Sequence, residues 1–516
     1  MSQRTVNDIR PVLLINPRAC SRRSVRLPLS LLALGAVLEG RFPYQIIDGN
    51  MDSDPVGTAL QTLAAEPHLL VGVTVMPGPQ VAPAIEISAA IRREHPNIPI
   101  AWGGYFPTLY AEAAINAPYV DYVVRGQGEA PLLELLERLP VAGPPAPPAS
   151  AREPESLHLV AGLTWKNQSG IIHNPDRCLD SPDMFPPLPY ERVGDVQPYL
   201  RPSFLGRRTA VHQAAIGCRY RCGFCGVASM FNGRTLLPAP NRLFQAASTL
   251  RNRYGADALQ FYDHNFFDRE ESSIPMLEAL ASLQMPWWCY ARADTLARFS
   301  SATWNLIRKS RLRMAYIGAE SASDGALARM KKGTRVEHTL EAARRCREYG
   351  VIPEFSFILG GPEDPEGEMD QTLRFVRRLK AIHPECEVIL YFYSPTPQRK
   401  PCPGGSSLPV LASYGPSGPD LPATPEEWAE PQWVRYVCHD DAPWLTPASR
   451  QRIKDFARVI ECRFPTIQDY RTPRWGKAFL RELARWRYAT SHYHNPWELD
   501  LARRHIPLRE PQRESL

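Results

Sequence analysis

Over residues 1–140, short apolar runs alternate with stretches whose apolar positions recur every three or four residues, the pattern of a parallel sheet wrapped by helices. The runs predict strands at 12–16, 44–48, 69–75, 98–102 and 120–124, and the stretches between them predict helices near 29–38, 58–64, 82–94 and 132–139. Five strands with such crossovers give a flavodoxin-like, Rossmann-type α/β domain, which takes ligands at the carboxyl ends of its strands. The segment PVAGPPAPPASAREPE at 140–155 is too rich in proline for regular structure. With a short strand pair near 162–172 and the extended SPDMFPPLPYE at 181–191, it makes 141–200 a linker carrying a β-hairpin. From 201 to 397 the alternation resumes with a longer repeat. Strands are expected at 214–217, 258–262, 288–291, 315–319, 354–359 and 388–393, with helices at 242–254, 273–283, 302–309, 336–349 and 368–382. Six β/α units predict a partial, TIM-like (β/α)6 barrel with its site at the carboxyl ends of the strands. The extension 398–516 opens with Gly- and Pro-rich loops and is mostly helical after them. It holds six of the 11 tryptophans, Trp428, Trp433, Trp444, Trp475, Trp486 and Trp497. The reading is a small helical domain with Trp in its core, preferred over a helix lying on a membrane surface.

A chain of 516 residues needs more than one core, which agrees with this division. The net charge of +6 is small for the length and the arginines are scattered, so nucleic acid is not an expected partner. No run approaches the ~20 apolar residues that span a bilayer, and the start MSQRTVNDIRP lacks the apolar core of a signal peptide, so the protein is expected in the cytoplasm with no transmembrane segment. Eleven cysteines, an odd number in a long chain, do not read as a disulfide scaffold; their spacing carries the information.

Three of them fall in I-G-C-R-Y-R-C-G-F-C-G at 216–226, directly after an expected strand. Thiolates ligate iron–sulfur clusters, and a fully protein-ligated cluster takes four. Cys218, Cys222 and Cys225 therefore leave one iron open, free to chelate the amino and carboxylate groups of S-adenosylmethionine (SAM). Gly217, Gly223 and Gly226 allow tight turns and Phe224 can shield a cluster from water. A zinc site, which wants a fourth ligand, and a redox pair Cys222–Cys225, which has no use for Cys218, are the alternatives.

The pattern C-x-x-x-C-x-aromatic-C after a barrel strand resembles the radical SAM superfamily, and specifically its members with a cobalamin-binding domain, the class of the anaerobic magnesium-protoporphyrin monomethyl ester cyclase and the cobalamin-dependent methyltransferases. The resemblance implies a [4Fe-4S] cluster on Cys218, Cys222 and Cys225, with SAM held by Phe224 and by later strand ends. Q-F-Y-D-H-N-F-F at 260–267 places Asp263 near the methionine amino group. Y-A-R-A-D at 290–294 and I-G-A-E-S-A-S at 317–323 offer Arg292, Glu320 and Ser321 for the carboxylate and ribose, a buried Arg292–Glu320 ion pair being the plainer reading. F-I-L-G-G-P-E-D at 357–364 brings backbone at Gly360 and Gly361 close to adenine. In front, L-P-L-S-L-L-A-L-G-A-V-L-E at 27–39, I-I-D-G-N at 46–50, A-W-G-G-Y-F-P-T at 101–108 and V-D-Y-V-V-R-G-Q-G-E at 120–129 resemble the cobalamin-binding domain, with Thr74, Gly103 and Gly104 as contacts. The Asp-x-His-x-x-Gly motif that supplies a histidine to cobalt is absent, and Phe106 replaces the usual His of the Gly-Gly loop.

The resemblance implies a cobalamin-dependent radical SAM enzyme, a methyltransferase acting through a 5′-deoxyadenosyl radical on an unactivated carbon or phosphorus of a bulky small molecule, with a reducing partner such as flavodoxin or ferredoxin. A non-methylating oxidative cyclase built from the same parts, and an iron–sulfur electron-transfer protein, are the rivals. Cys289, His264, Tyr391 and Tyr393 could face the substrate, though packing is the default for each.

Overall fold

The computed structural model describes residues 9–139, 155–361, 363–399, 409–411, 420–440, 445–469 and 472–508. The proline-rich segment up to 154, most of the loops after 400 and Trp444 lie outside the described residues.

The first sheet is built from β1 (Val12–Asn16), β2 (Tyr44–Asp48), β3 (Leu70–Thr74), β4 (Ile100–Gly103) and β5 (Tyr122–Val124), parallel and in the order β2-β1-β3-β4-β5. Helices cover both faces, so the central strands are apolar in unbroken runs: Val12, Leu13, Leu14 and Ile15 are all fully buried. Local chemistry sets the crossovers. Helix Pro55–Ala65 starts where the Asp54 carboxylate accepts from Gly57 N and Pro55 occupies the first turn. Two short helices after β4, Tyr105–Leu109 and Ala111–Asn116, were not anticipated. The hairpin expected within the linker, β6 (Leu163–Asn167) and β7 (Gly170–His173), instead joins β5 antiparallel and completes a seven-stranded sheet. The buried Arg125 guanidinium fastens it there, donating to Leu163 O at 3.0 Å and to Asn174 O at 2.5 Å.

The second sheet runs β8 (Thr209–His212), β11 (Ala258–Phe261), β12 (Trp287–Arg292), β13 (Leu312–Glu320), β14 (Ile352–Leu359) and β15 (Glu387–Phe392), each paired parallel with the next. Its two edge strands do not pair with each other, so the barrel is partial, as expected. The first strand is displaced from the expected 214–217. The chain leaves the sheet after His212, and residues Ile216–Gly217 (β9) pair antiparallel with Thr235–Leu236 (β10). The cause is Asp263 at the end of β11, whose carboxylate takes the amides of Ala214 and Ala215 and withdraws them from any ladder.

The C-terminal part does two things for the barrel. At the amino-terminal mouth Gln468 Nε2 donates to the buried carboxylates of Glu354 and Glu387, both at 2.8 Å, and so plugs the bottom. At the other end Trp428, only 1% exposed, packs on Phe106 and Tyr110 of the first domain, with ring centroids 6.0 and 4.2 Å away. Trp428→Ala is expected to cost about 3–5 kcal/mol, the usual effect of emptying so large a buried site, and to lower Tm by several degrees in a thermal melt. Helices Pro447–Arg463, Arg474–Leu483, Arg485–Thr490 and Trp497–His505 form the rest. Their core is Val459, Cys462, Leu480, Ala484, Leu499, Ile506 and Leu508. The tryptophan core expected here is therefore corrected: Trp475, Trp486 and Trp497 are 68%, 49% and 63% exposed. Among the described residues no helix is long and apolar enough to cross a membrane.

Candidate active site

The carboxyl ends of the barrel strands open into a cavity that collects residues from both domains and the C-terminal part. Cys218, Cys222, Phe224 and Cys225 line it from the loop after β9, His264 from the end of β11, Arg292 from β12, and Glu320 from β13. The first domain adds Pro77, Tyr105, Leu109 and Tyr110, and the C-terminal part adds Tyr436, Val437 and His439.

The cysteine loop owes its path to local geometry. Gly217 has φ +77°, and a Cβ there would lie 2.3 Å from Arg234 O. A Cβ at Gly226 would meet Tyr105 Oη at 2.2 Å, so this glycine lets the first domain close onto the loop. Among the described residues no three His, Cys, Asp or Glu side chains converge on one point as ligands of a single ion. Burial raises the Cys218 thiol and pushes that of Cys225 up to about 12, so thiolates here need positive charge close by.

Two cations meet that need. Arg292 lies 3.7 Å from Cys222 Sγ through Nη1, is paired with Asp294 at 2.9 Å, and sits 3.4 Å above the Tyr220 ring. The buried Lys332 ammonium donates to Glu320 Oε1 at 2.7 Å and stands 5.6 Å from the Phe224 ring. Burial is the largest single influence on Lys332 and would lower its pKa, but the Glu320 carboxylate and the Cys222 sulfur together outweigh it and the net direction is upward. Glu320 also accepts from Ser356 Oγ at 3.2 Å and adopts φ +61°, the left-handed region that a non-glycine residue occupies only when its surroundings demand it. Gly318 leaves room for the pair, since a Cβ there would fall 2.2 Å from Glu320 Oε1. The ion pair considered from sequence, Arg292 with Glu320, is thus two pairs, Arg292–Asp294 and Lys332–Glu320. Lys332 was missed because K-K-G-T at 331–334 reads as an exposed turn; no spacing marks it out.

Three of the expected SAM contacts are not brought to this cavity. Asp263 is fully buried and turned to the backbone of 214–215, where it anchors the start of the cysteine loop. Ser321 Oγ accepts from Ser323 N, capping the next turn. A Cβ on Gly360 would meet Leu445 at 2.6 Å, so this glycine accommodates packing. Cys289 is a core residue, and His264, Tyr391 and His439 do line the cavity. Burial raises the Asp263 carboxyl to about 7, and its amide partners only partly offset this. A raised acid stabilises the fold most below the unfolded value near 4 and loses that contribution as pH climbs through 7. Wild type should therefore lose about 2–3 kcal/mol relative to Asp263→Asn between pH 5 and 8, read by chemical denaturation at the two pH values.

A second cavity lies over the carboxyl ends of β3 and β4 and is lined by Thr74, Gly103 and Gly104. Gly104 has φ +100°, and a Cβ would press on Thr74 Oγ1 and Val75 O at 3.1 Å, whereas above Gly103 the nearest atom lies at 3.8 Å. The open backbone at Gly103 and the apolar walls from Leu29, Leu34 and Phe231 suit a large flat cofactor and its tail. Phe106 is fully buried against Trp428, so in this chain the position of the usual histidine serves packing.

Residues 214–376 match the model of the radical SAM superfamily and residues 21–136 that of the B12 binding domain. The chain belongs to the radical SAM superfamily. It is a cobalamin-dependent radical SAM enzyme, whose two domains call for a [4Fe-4S] cluster, SAM and cobalamin, and the residues around the two cavities fit those groups. An uncharacterized methyltransferase of Pyrococcus horikoshii is 24% identical over 356 residues, 68% of this chain and 73% of its own. The anaerobic magnesium-protoporphyrin IX monomethyl ester cyclase of a Synechocystis species is 22% identical over 356 residues, 67% of each chain. The radical SAM methyltransferase TsrM from Kitasatospora setae, solved with cobalamin and a [4Fe-4S] cluster, shares the fold at a TM-score of 0.62 and 18% identity, over 96% of this chain and 99% of that one.

Proposed function

We propose that this radical SAM enzyme transfers a methyl group to an unactivated carbon or phosphorus centre of a bulky small molecule. The observation that carries the reading is the shared chamber: the three cysteines and residues Pro77, Tyr105, Leu109 and Tyr110 beyond the strand ends of the B12-binding domain line one cavity. In this reading residues 1–140 hold cobalamin through Thr74, Gly103 and Gly104, residues 201–397 carry the radical chemistry, and 398–516 close the chamber. Bound together, the cofactors supply a 5′-deoxyadenosyl radical and a methyl group.

The chain's own work is binding and exclusion. Cys218, Cys222 and Cys225 hold the cluster; Arg292 lies beside it, and the Glu320–Lys332 pair gives SAM opposite charges for its ammonium and carboxylate. Phe224 shields the cluster side, and its carbonyl is pinned by Thr396 Oγ1 at 3.0 Å. Tyr290, Tyr316, Tyr391 and Tyr436 wall the chamber with neutral surface that keeps water from a radical. A low-potential partner such as flavodoxin or ferredoxin, and hence the cytoplasm, completes the reading.

The test is anaerobic incubation of the reconstituted enzyme with SAM and a strong reductant, with and without cobalamin. Release of S-adenosylhomocysteine that depends on cobalamin, beside 5′-deoxyadenosine, supports methyl transfer. Formation of 5′-deoxyadenosine with no S-adenosylhomocysteine assigns the enzyme to non-methylating oxidation.

A further inference from the structure

The amino-terminal end of the barrel, away from the active chamber, carries a second feature for which the reaction has no use. A cavity opens between the loop after β1, the start of the barrel and the C-terminal helices, and its lining includes Arg23, Arg26, Arg201, Trp475 and His505, with one carboxylate, Asp469, which accepts from Thr472. No carboxylate pairs with any of the three arginines among the described residues. Arg26 Nη1 donates to Val25 O at 3.2 Å and Arg201 Nη2 to Arg22 O at 2.7 Å, while the Nε atoms of both are buried without a hydrogen-bond partner, which leaves each guanidinium with donors to spare.

Two exposed apolar stripes meet at this cavity. On helix Arg474–Leu483, Trp475 and Phe479 stand one turn apart and are 68% and 52% exposed. On helix Trp497–His505, Trp497 and Leu501 lie one turn apart, 63% and 49% exposed, and one further turn along the same face is His505, in the cavity wall. The two helices are in contact: a Cβ at Gly476 would meet Ile506 at 2.9 Å. Exposed Arg474, Arg481, Arg485 and Arg504 flank the stripes. Large aromatic side chains in water beside cavity arginines that have no carboxylate partner match the boundary between anionic headgroups and acyl chains, where indole rings and arginines are both well placed.

We propose that this corner docks the enzyme onto an anionic bilayer surface, with a lipid phosphate in the Arg26–Arg201 cavity and the Trp475–Phe479 and Trp497–Leu501 stripes in the interface. The enzyme then works as a peripheral protein whose active chamber lies at the other end of the barrel. The docking surface uses no residue of the chamber, so it stands or falls apart from the methyl-transfer reading.

The test is flotation of the full-length, cluster-reconstituted protein with vesicles of phosphatidylglycerol or of phosphatidylcholine. Binding to phosphatidylglycerol alone is expected, weakening with salt. The exposed double variant W475S/F479S should bind at least ~10-fold more weakly, and Arg201→Gln should reduce both binding and its salt dependence, with cluster absorbance and circular dichroism unchanged. Equal partition onto the two vesicle types, or undiminished binding by W475S/F479S, overturns the proposal. So does pyrophosphate binding at Arg201 in a protein that ignores vesicles, which makes the cavity a small-anion site. Self-association without vesicles that W475S/F479S abolishes overturns it too, by giving the stripes to a second copy of the chain.

Discussion

Cys222→Ala, reconstituted anaerobically with iron and sulfide, is expected to lack the broad cluster absorbance of the wild type and to form 5′-deoxyadenosine at least about a thousandfold more slowly, because the whole reaction passes through one bound group. Cys222 is the most buried of the three, and Arg292 reaches its sulfur at 3.7 Å. The control is Cys289→Ala. Cys289 is fully buried in the barrel core, so its loss removes a small apolar group, costs on the order of 1 kcal/mol and leaves iron content and cleavage unchanged. Iron retained in Cys222→Ala with cleavage intact would refute the ligand assignment.

The second large effect is expected at Lys332. Lys332→Met strands the Glu320 carboxylate in a site where it is only 6% exposed, and breaking a buried pair from one side costs about 3–5 kcal/mol. SAM affinity should fall with it, measured by equilibrium dialysis on the reconstituted variant. Removing both charges, as Lys332→Met with Glu320→Gln, should restore most of the stability but not the affinity, which separates structural from binding roles. The sign with pH is informative. The Lys332 pKa is raised above its unfolded value near 10.4, so its contribution is fully present below that pH and is lost only above it. The stability gap between wild type and the double variant Lys332→Met/Glu320→Gln, which leaves no stranded carboxylate, should therefore stay constant from pH 6 to 9.

Much of the architecture could be read in advance because buried parallel strands leave an unbroken apolar run. β1 and β2 fall at the expected residues, and the Cys loop points to its chemistry through its spacing and the family it resembles. What escaped depends on contacts between distant segments. The hairpin β6–β7 is an ordinary strand pair locally, and only the reach of Arg125 makes it part of the first sheet. The strand at 214–217 looks as good as its neighbour at 209–212 until Asp263 claims its amides. Asp263 and Gly360 stand at strand ends where the resemblance expects them, but periodicity says nothing of where a carboxylate turns or what fills the space over a glycine. Lys332, Tyr436 and His439 reach the chamber from loops and a short helix with no recurring pattern, so nothing short of the folded chain could assign them there.

The chamber wall formed by Tyr436, Val437 and His439, with Trp428 locked onto Phe106 behind it, also bears on how the enzyme is made. A ribosome delivers the cysteine loop long before that wall, so during synthesis the thiols stand in an open trough between two finished sheets. The segment 428–439, which emerges after both sheets, is what closes this trough.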